Sequence, residues 1–359
     1  MKLFLVAALI SFVGLNLAVG QEGAQRYRLA QSVYEQGRLH ELPELLNDKE
    51  LAKFSKADLI NAYRLLTLAY IYLEEPGKAD SSMLKLLNTD HFYEPNESIE
   101  TAEFMGLYKT FRTKPVFNIG FRFGANATVP LLNSVYYVSN AAPGKGKYSF
   151  GVGIQGGLSY EVEILSRSKN KLYGRGKLMF APEVFFITRT FKYTNPTQFV
   201  DDVTGASDAS LTATIKQTRL DLNAIIQWKA SNSKTFIPYL GFGPGASYLL
   251  SAGNTMVLTR SNSKGTVSGP DVVDNSSYYK IIPTLSGMAG FKYRFGSLYV
   301  LGEFRVQYAL SNPVNPNTRS NVSSTFEYNY ELPNYKPLNM LVNIGIIYPY
   351  FNPIKIKRK

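Results

Sequence analysis

Apolar residues keep two different periods along this chain, and the change falls at Pro115. From about Ala24 to Tyr108 they recur at the spacing of one helix face. Tyr27, Ala30, Val33 and Tyr34 form a first stripe that ends at Gly37, and Leu42, Leu45 and Leu46 form the next. A longer stripe from about Lys56 to Glu74 carries Leu59, Tyr63, Leu66, Ala69, Tyr70 and Leu73. Pro76-Gly77 breaks it, Ala79, Met83, Leu86 and Leu87 continue in another helix, and Pro95 stops the pattern. Gly37 and Gly77 hold matching places between a tyrosine-rich helix and a leucine-rich one. That layout resembles two helix-turn-helix units of the tetratricopeptide kind, spaced slightly longer than the usual repeat. Tyr27, Tyr34, Tyr63 and Tyr70 are then candidates for docking a partner; the plainer reading makes them core residues.

Beyond Pro115 the period becomes two. Phe117, Ile119, Phe121, Phe123, Ala125 and Ala127 alternate with Asn118, Gly120, Arg122, Gly124 and Asn126. Tyr148 to Val162 repeats the pattern, and six more stretches follow near 171–190, 211–229, 236–248, 285–295, 304–308 and 340–348. The first two are long enough to cross a bilayer as tilted strands, and longer than most strands of globular sheets. Connections alternate short and long: 166–170, 231–234 and 296–297 are short, whereas 130–146, 191–209, 251–277 and 311–335 are long and rich in Ser, Asn, Gly and Pro. An even strand count with that alternation predicts an eight-stranded antiparallel transmembrane β-barrel. The fold expected is therefore α+β in two domains: a small all-α periplasmic domain with tetratricopeptide-like helix pairs over 21–112, then the barrel over 113–352 and a basic tail over 353–359.

Composition sharpens this picture. Lys2, the apolar run Leu3 to Val19 and the small residues of Ala18-Val19-Gly20 make the three parts of a secretory signal over residues 1–20. No later stretch of roughly 18 apolar residues offers a helical span. Tyr and Phe are abundant, at 25 and 22 copies, and Cys is absent, which excludes a disulfide framework or a thiol nucleophile. The net charge of +12 on an exported chain points to anionic headgroups or lipopolysaccharide, with no nucleic acid partner. The expected location is the outer membrane of a Gram-negative bacterium.

An eight-stranded barrel is just wide enough for side chains to fill it. The inward positions carry Arg122, Glu161, Glu163, Arg175, Glu183, Arg189, Arg219, Asp221, Lys292, Arg294, Glu303 and Arg305. Charges of both signs predict a paired network closing the lumen, and a narrow charged pore is the rival. Both histidines, His40 and His91, fall in the helical half, so no histidine-based triad can form in the barrel. His91 beside Asp90 lacks further clustered ligands, and no phosphate-binding loop is present; no catalytic, cofactor or metal site is expected. Glycines of Gly241-Phe242-Gly243-Pro244-Gly245 take inward positions where a crowded interior calls for missing side chains.

Three stretches resemble the PorT-like outer-membrane β-barrel family: Gly120 to Asn126, Pro238 to Gly245 and Val342 to Gly345. The resemblance covers about residues 115–352. It implies an outer-membrane protein, often without a known enzymatic role, in a family some of whose members support protein secretion. A helical domain added to that barrel suggests an accessory or scaffold subunit, in secretion or barrel assembly, with a larger outer-membrane or periplasmic protein as partner. A narrow solute channel, and adhesion or ligand capture by the long loops, are the alternatives.

Overall fold

The computed structural model describes residues 22–136, 146–165, 177–200, 207–231, 233–260, 266–269, 272–320 and 327–356; the expected leader lies outside them. The chain divides into a unit of Met1–Pro115 with Phe351–Lys359 and a unit of Val116–Tyr350.

The first unit is helical. Helix α1 spans described residues 22–35, a 3-10 turn covers Leu39–Glu41, and α2 (Leu42–Leu45) and α3 (Asp48–Leu51) are single turns. Then come α4 (Lys56–Tyr72), α5 (Pro76–Thr89) and α6 (Ala102–Tyr108). Starts follow capping chemistry: the Asn47, Ser55 and Thr101 side chains accept from backbone N–H groups of the first turns of α3, α4 and α6, and Pro76 opens α5. Ala30, Val33, Leu42, Leu65, Leu66 and Ala69 form one core, and Leu68, Met83, Leu86, Leu87, Phe104 and Phe111 another.

Two details depart from the repeat reading. Gly37 does take the left-handed conformation (φ +75°), but Gly77 lies inside α5, and Glu74 makes the second turn at φ +57°. Pro76 fixes a helical φ at the start of α5, so the reversal falls two residues earlier. The leucines at 42–46 sit on short turns that Asn47 interrupts with its own cap, so the first pair is not a helical hairpin like α4 and α5.

The tail belongs to this unit as well. Lys355 bridges to Phe111, the Arg112 N–H donates to the Ile354 carbonyl, and the Ile356 N–H donates to the Thr110 carbonyl. The Lys355 ammonium pairs with Asp80.

The second unit is the barrel. Its eight long strands are β1 (Phe117–Ser134), β2 (Lys147–Leu165), β3 (Lys177–Val200), β4 (Ser207–Lys229), β5 (Phe236–Arg260), β8 (Ile281–Phe295), β9 (Leu298–Ala309) and β10 (Asn334–Tyr350). Each is antiparallel to its chain neighbour, and β10 closes the ring on β1 with Arg122 opposite Gly345. Two short strands, β6 (Thr266–Ser268) and β7 (Val272–Val273), pair with β5 outside the ring. Closure leaves no open edge among the long strands, which is what a sheet in hydrocarbon requires. Around the outside, Phe121, Ile154, Phe186, Leu222, Phe242, Phe291, Phe304 and Ile344 are exposed, while the alternate residues are buried. The expected turn 166–170 lies outside the described residues; Gly296 takes φ +61° in the two-residue turn between β8 and β9.

The long connections differ from expectation. Segments 191–209 and 251–277, read from their Ser, Asn, Gly and Pro content as loops, are in large part strand: β3 and β4 pair from Lys177↔Lys229 to Val200↔Ser207, and β5 follows β4 to Arg260. Across these segments and the adjoining parts of β3 and β4, the outward positions are Thr190, Lys192, Thr194, Thr212, Thr214 and Lys216, of which Lys192 and Thr194 fall in the stretch read as polar loop. Their inward positions, Phe191, Tyr193, Leu211, Ala213, Ile215, Met256 and Leu258, bury an apolar core with Tyr278, Val314, Tyr330 and Tyr335. Period two therefore continues past the apolar belt with its faces changed from apolar-out to apolar-in.

Candidate functional site

Three layers fill the barrel. The lowest is ionic and neutral. Arg122 meets Glu161 at 3.1 Å, Glu303 at 3.5 Å and Glu183, with which it hydrogen-bonds. Arg305 lies 2.7 Å from Glu183 and 3.0 Å from Glu303, and Lys292 lies 2.6 Å from Glu161. All six side chains are buried. Three cations and three carboxylates therefore share one closed network, to which Tyr239 and Asn343 donate at Glu303 and Asn118 at Glu161. Such pairing and hydrogen bonding is the condition for keeping charge in a dry interior. Glycines make room for it: a Cβ on Gly243 would stand 2.0 Å from the Ala224 carbonyl oxygen, and one on Gly245 2.3 Å from Asn223 Oδ1.

The middle layer is polar and built around Asp221. Arg189 Nη2 donates to Asp221 Oδ2 at 2.7 Å and to Gln307 at 2.9 Å, Gln307 donates to the same oxygen at 3.0 Å, and the Ser247 hydroxyl donates to the other. Arg219 donates through Nε to Gln217 at 2.8 Å and through Nη1 to the Ser247 carbonyl at 3.4 Å. An amide chain of Asn126, Gln155 and Asn343 crosses β1, β2 and β10 nearby in sequence register. Above lies the apolar core already described.

The remaining sequence candidates stand apart. Arg294 is half-buried near the end of β8, with its N–H bonded to the Thr235 carbonyl. Glu163 is half-buried near the end of β2 and forms no ion pair among the described residues, and Arg175 lies outside them. Asn126, Gln155, Gln217, Ser247, Tyr239 and Gln307 had been passed over, because only charged inward residues were singled out; their even spacing on the inward face was the available signal.

In the helical unit, Tyr63 and Tyr70 line a groove of about 300 Å³ with Asn47, Leu66, Lys78 and Lys85. Each lysine sits over a ring, Lys78 over Tyr70 at 5.6 Å and Lys85 over Tyr63 at 5.9 Å. Hydrogen bonds to Glu75 and Asp48 lift the pKa of Lys78 and Lys85 respectively, so both stay cationic. All four candidate tyrosines, Tyr27, Tyr34, Tyr63 and Tyr70, pack partly buried against the helical core, and burial raises the phenol pKa of Tyr27 and Tyr34. His91 stacks on Phe351, and among the described residues no group of His, Cys, Asp or Glu could hold a metal ion.

A closed antiparallel barrel with a continuous apolar outer belt and a packed interior defines an integral β-barrel membrane protein. No family model matches the chain, and no curated protein matches its sequence. Among solved structures it is similar to Neisserial surface protein A, at 12% identity over 67% of this chain and 97% of that one, with a TM-score of 0.29. OprG of Pseudomonas aeruginosa gives 12% over 67% and 97%, at 0.31. The outer-membrane protease OmpT of Escherichia coli gives 9% over 65% and 96%, at 0.30. Likenesses this distant carry neither activity nor partner across to the chain.

Proposed function

We propose that the protein is a non-enzymatic accessory or scaffold subunit of an outer-membrane assembly serving protein secretion or barrel insertion. In this reading the barrel anchors the chain in the outer membrane of a Gram-negative bacterium, and the helical unit docks a periplasmic partner. One contrast carries it. The ionic layer of the barrel interior is closed by mutually paired side chains, whereas the helical unit presents a groove lined by the aromatic and cationic groups of Tyr63, Tyr70, Lys78 and Lys85. The resemblance to PorT-like barrels supports the same role. A channel would need the ionic layer to open, at the cost of unpairing buried charges.

The test is purification of the tagged full chain in mild detergent, followed by mass spectrometry of what accompanies it. A stoichiometric envelope protein that is lost in Tyr63→Ala/Tyr70→Ala, with the barrel still folded, is the expected result. Recovery of this chain alone, together with stepwise conductance in planar bilayers, would replace the scaffold reading with a channel.

A further inference from the structure

The middle layer of the lumen holds more positive charge than the protein balances. Arg189 and Arg219 are 2% and 0% exposed, and Asp221 is the one carboxylate bonded among them. That carboxylate is already engaged by Arg189, Gln307 and Ser247. Among the described residues Arg219 forms no ion pair; its two bonded nitrogens meet a neutral amide and a backbone carbonyl. Asp274, in the cap that the chain forms between β7 and β8, is held by Asn254 and Ser277 and pairs with neither arginine.

Among the described residues, five donors in this region find no acceptor: Arg189 Nε and Nη1, Arg219 Nη2, and the hydroxyls of Thr284 and Ser286. All belong to inward positions of β3, β4 and β8, and Ser286 stands opposite Gln307 in register. A guanidinium cannot shed its proton to escape burial. An unpaired buried charge of this kind costs several kcal/mol in general. The neutral ionic layer has no charge to spare, and the apolar core offers no acceptor of the needed sign.

We propose that Arg189 and Arg219 enclose one small monovalent anion of the chloride class within the barrel. One negative charge brings the layer, two arginines against Asp221, to neutrality. A spherical acceptor has no preferred direction of approach, so it can take hydrogen bonds from guanidinium and hydroxyl donors alike. A lumen filled by side chains excludes a larger oxyanion. The anion is a fixed structural part of the barrel, independent of any partner at the helical groove.

The experiment uses the full chain purified in detergent without halide. Its heat-unfolding midpoint is followed as sodium chloride or bromide replaces sodium gluconate at constant ionic strength, with sulfate as a further arm. A saturable rise of a few degrees with either halide, and none with sulfate, is expected. Arg219→Met removes the surplus charge, so this variant is expected to be insensitive to halide and no less stable than the parent in gluconate. Bromide-soaked crystals of the unmodified protein give a direct reading, with an anomalous peak expected between Arg189 and Arg219. A flat titration, a halide response that survives in Arg219→Met, or no bromide at the arginines would overturn the proposal and leave water as the occupant.

Discussion

Phe351 lies flat against His91, with ring centroids 5.2 Å apart and planes 13° apart, and meets Phe92 edge-on at 5.0 Å. The residue that follows the last barrel strand is thereby part of the helical core. His91 is itself oriented by a 2.9 Å contact from Nδ1 to the Leu87 carbonyl at the end of α5. A histidine that looked like a fragment of a metal site is thus the platform for the returning chain.

Phe351→Ala removes both ring contacts and is expected to destabilise the helical unit by about 2 kcal/mol, below the loss for a fully buried phenylalanine. Faster proteolysis within residues 22–115, with the barrel still migrating as folded in unboiled gels, is the expected reading. Lys355→Ala loses an exposed ion pair with Asp80 and is expected to cost less than about 1 kcal/mol.

Gly243 and Gly287 both lie in barrel strands, yet only the first has no room. A Cβ on Gly243 meets the Ala224 carbonyl at 2.0 Å, whereas one on Gly287 meets nothing within 4 Å. Gly243→Ala should force β4 and β5 apart and abolish the heat-modifiable folded band, and Gly287→Ala should leave it within about 0.5 kcal/mol of the parent.

The barrel was legible in the sequence because period two needs only residue identity, and Phe121, Arg122 and Phe123 display both faces in three residues. The pairing of Arg122 with Glu161, Glu183 and Glu303 was not, since it joins β1, β2, β3 and β9 across a closed ring that only the register defines. The upper core was missed for a different reason. At Phe191 and Tyr193 the aromatic residues face inward, while Thr190, Lys192 and Thr194 face out, so composition imitated a loop. All four candidate tyrosines lie against the helical core, as their helical spacing implied, and Tyr63 and Tyr70 also line the groove, which depends on where α5 brings Lys78 and Lys85.

Asp274 gives the cap a pH dependence. Burial raises its carboxyl above the ordinary value, against hydrogen bonds from Ser277 and Asn254 that lower it. A raised acid binds its proton more tightly when folded, so cap stability falls as pH rises from the ordinary carboxyl value through the folded one. The protection factor of the Ser277 amide, with the intrinsic pH dependence of exchange divided out, should therefore fall over that window, and Asp274→Asn should flatten the dependence. A parent profile already flat there would show that Asp274 is not the group responsible.

Arg122 sits where three carboxylates converge, and the balance of three cations against three carboxylates predicts a compensation that packing alone would not. Arg122→Met leaves Glu161, Glu183 and Glu303 with only Lys292 and Arg305, and is expected to cost about 3–5 kcal/mol. Adding Glu183→Gln returns the layer to two charges of each sign while keeping the shape of the side chain. The double variant should then recover more than half of that loss, read as the denaturant midpoint of barrel unfolding. A mutant cycle of this kind isolates the coupling between the two residues. If the second substitution merely adds its own loss, the layer is held by packing and hydrogen bonds, and its charge balance contributes nothing to the fold.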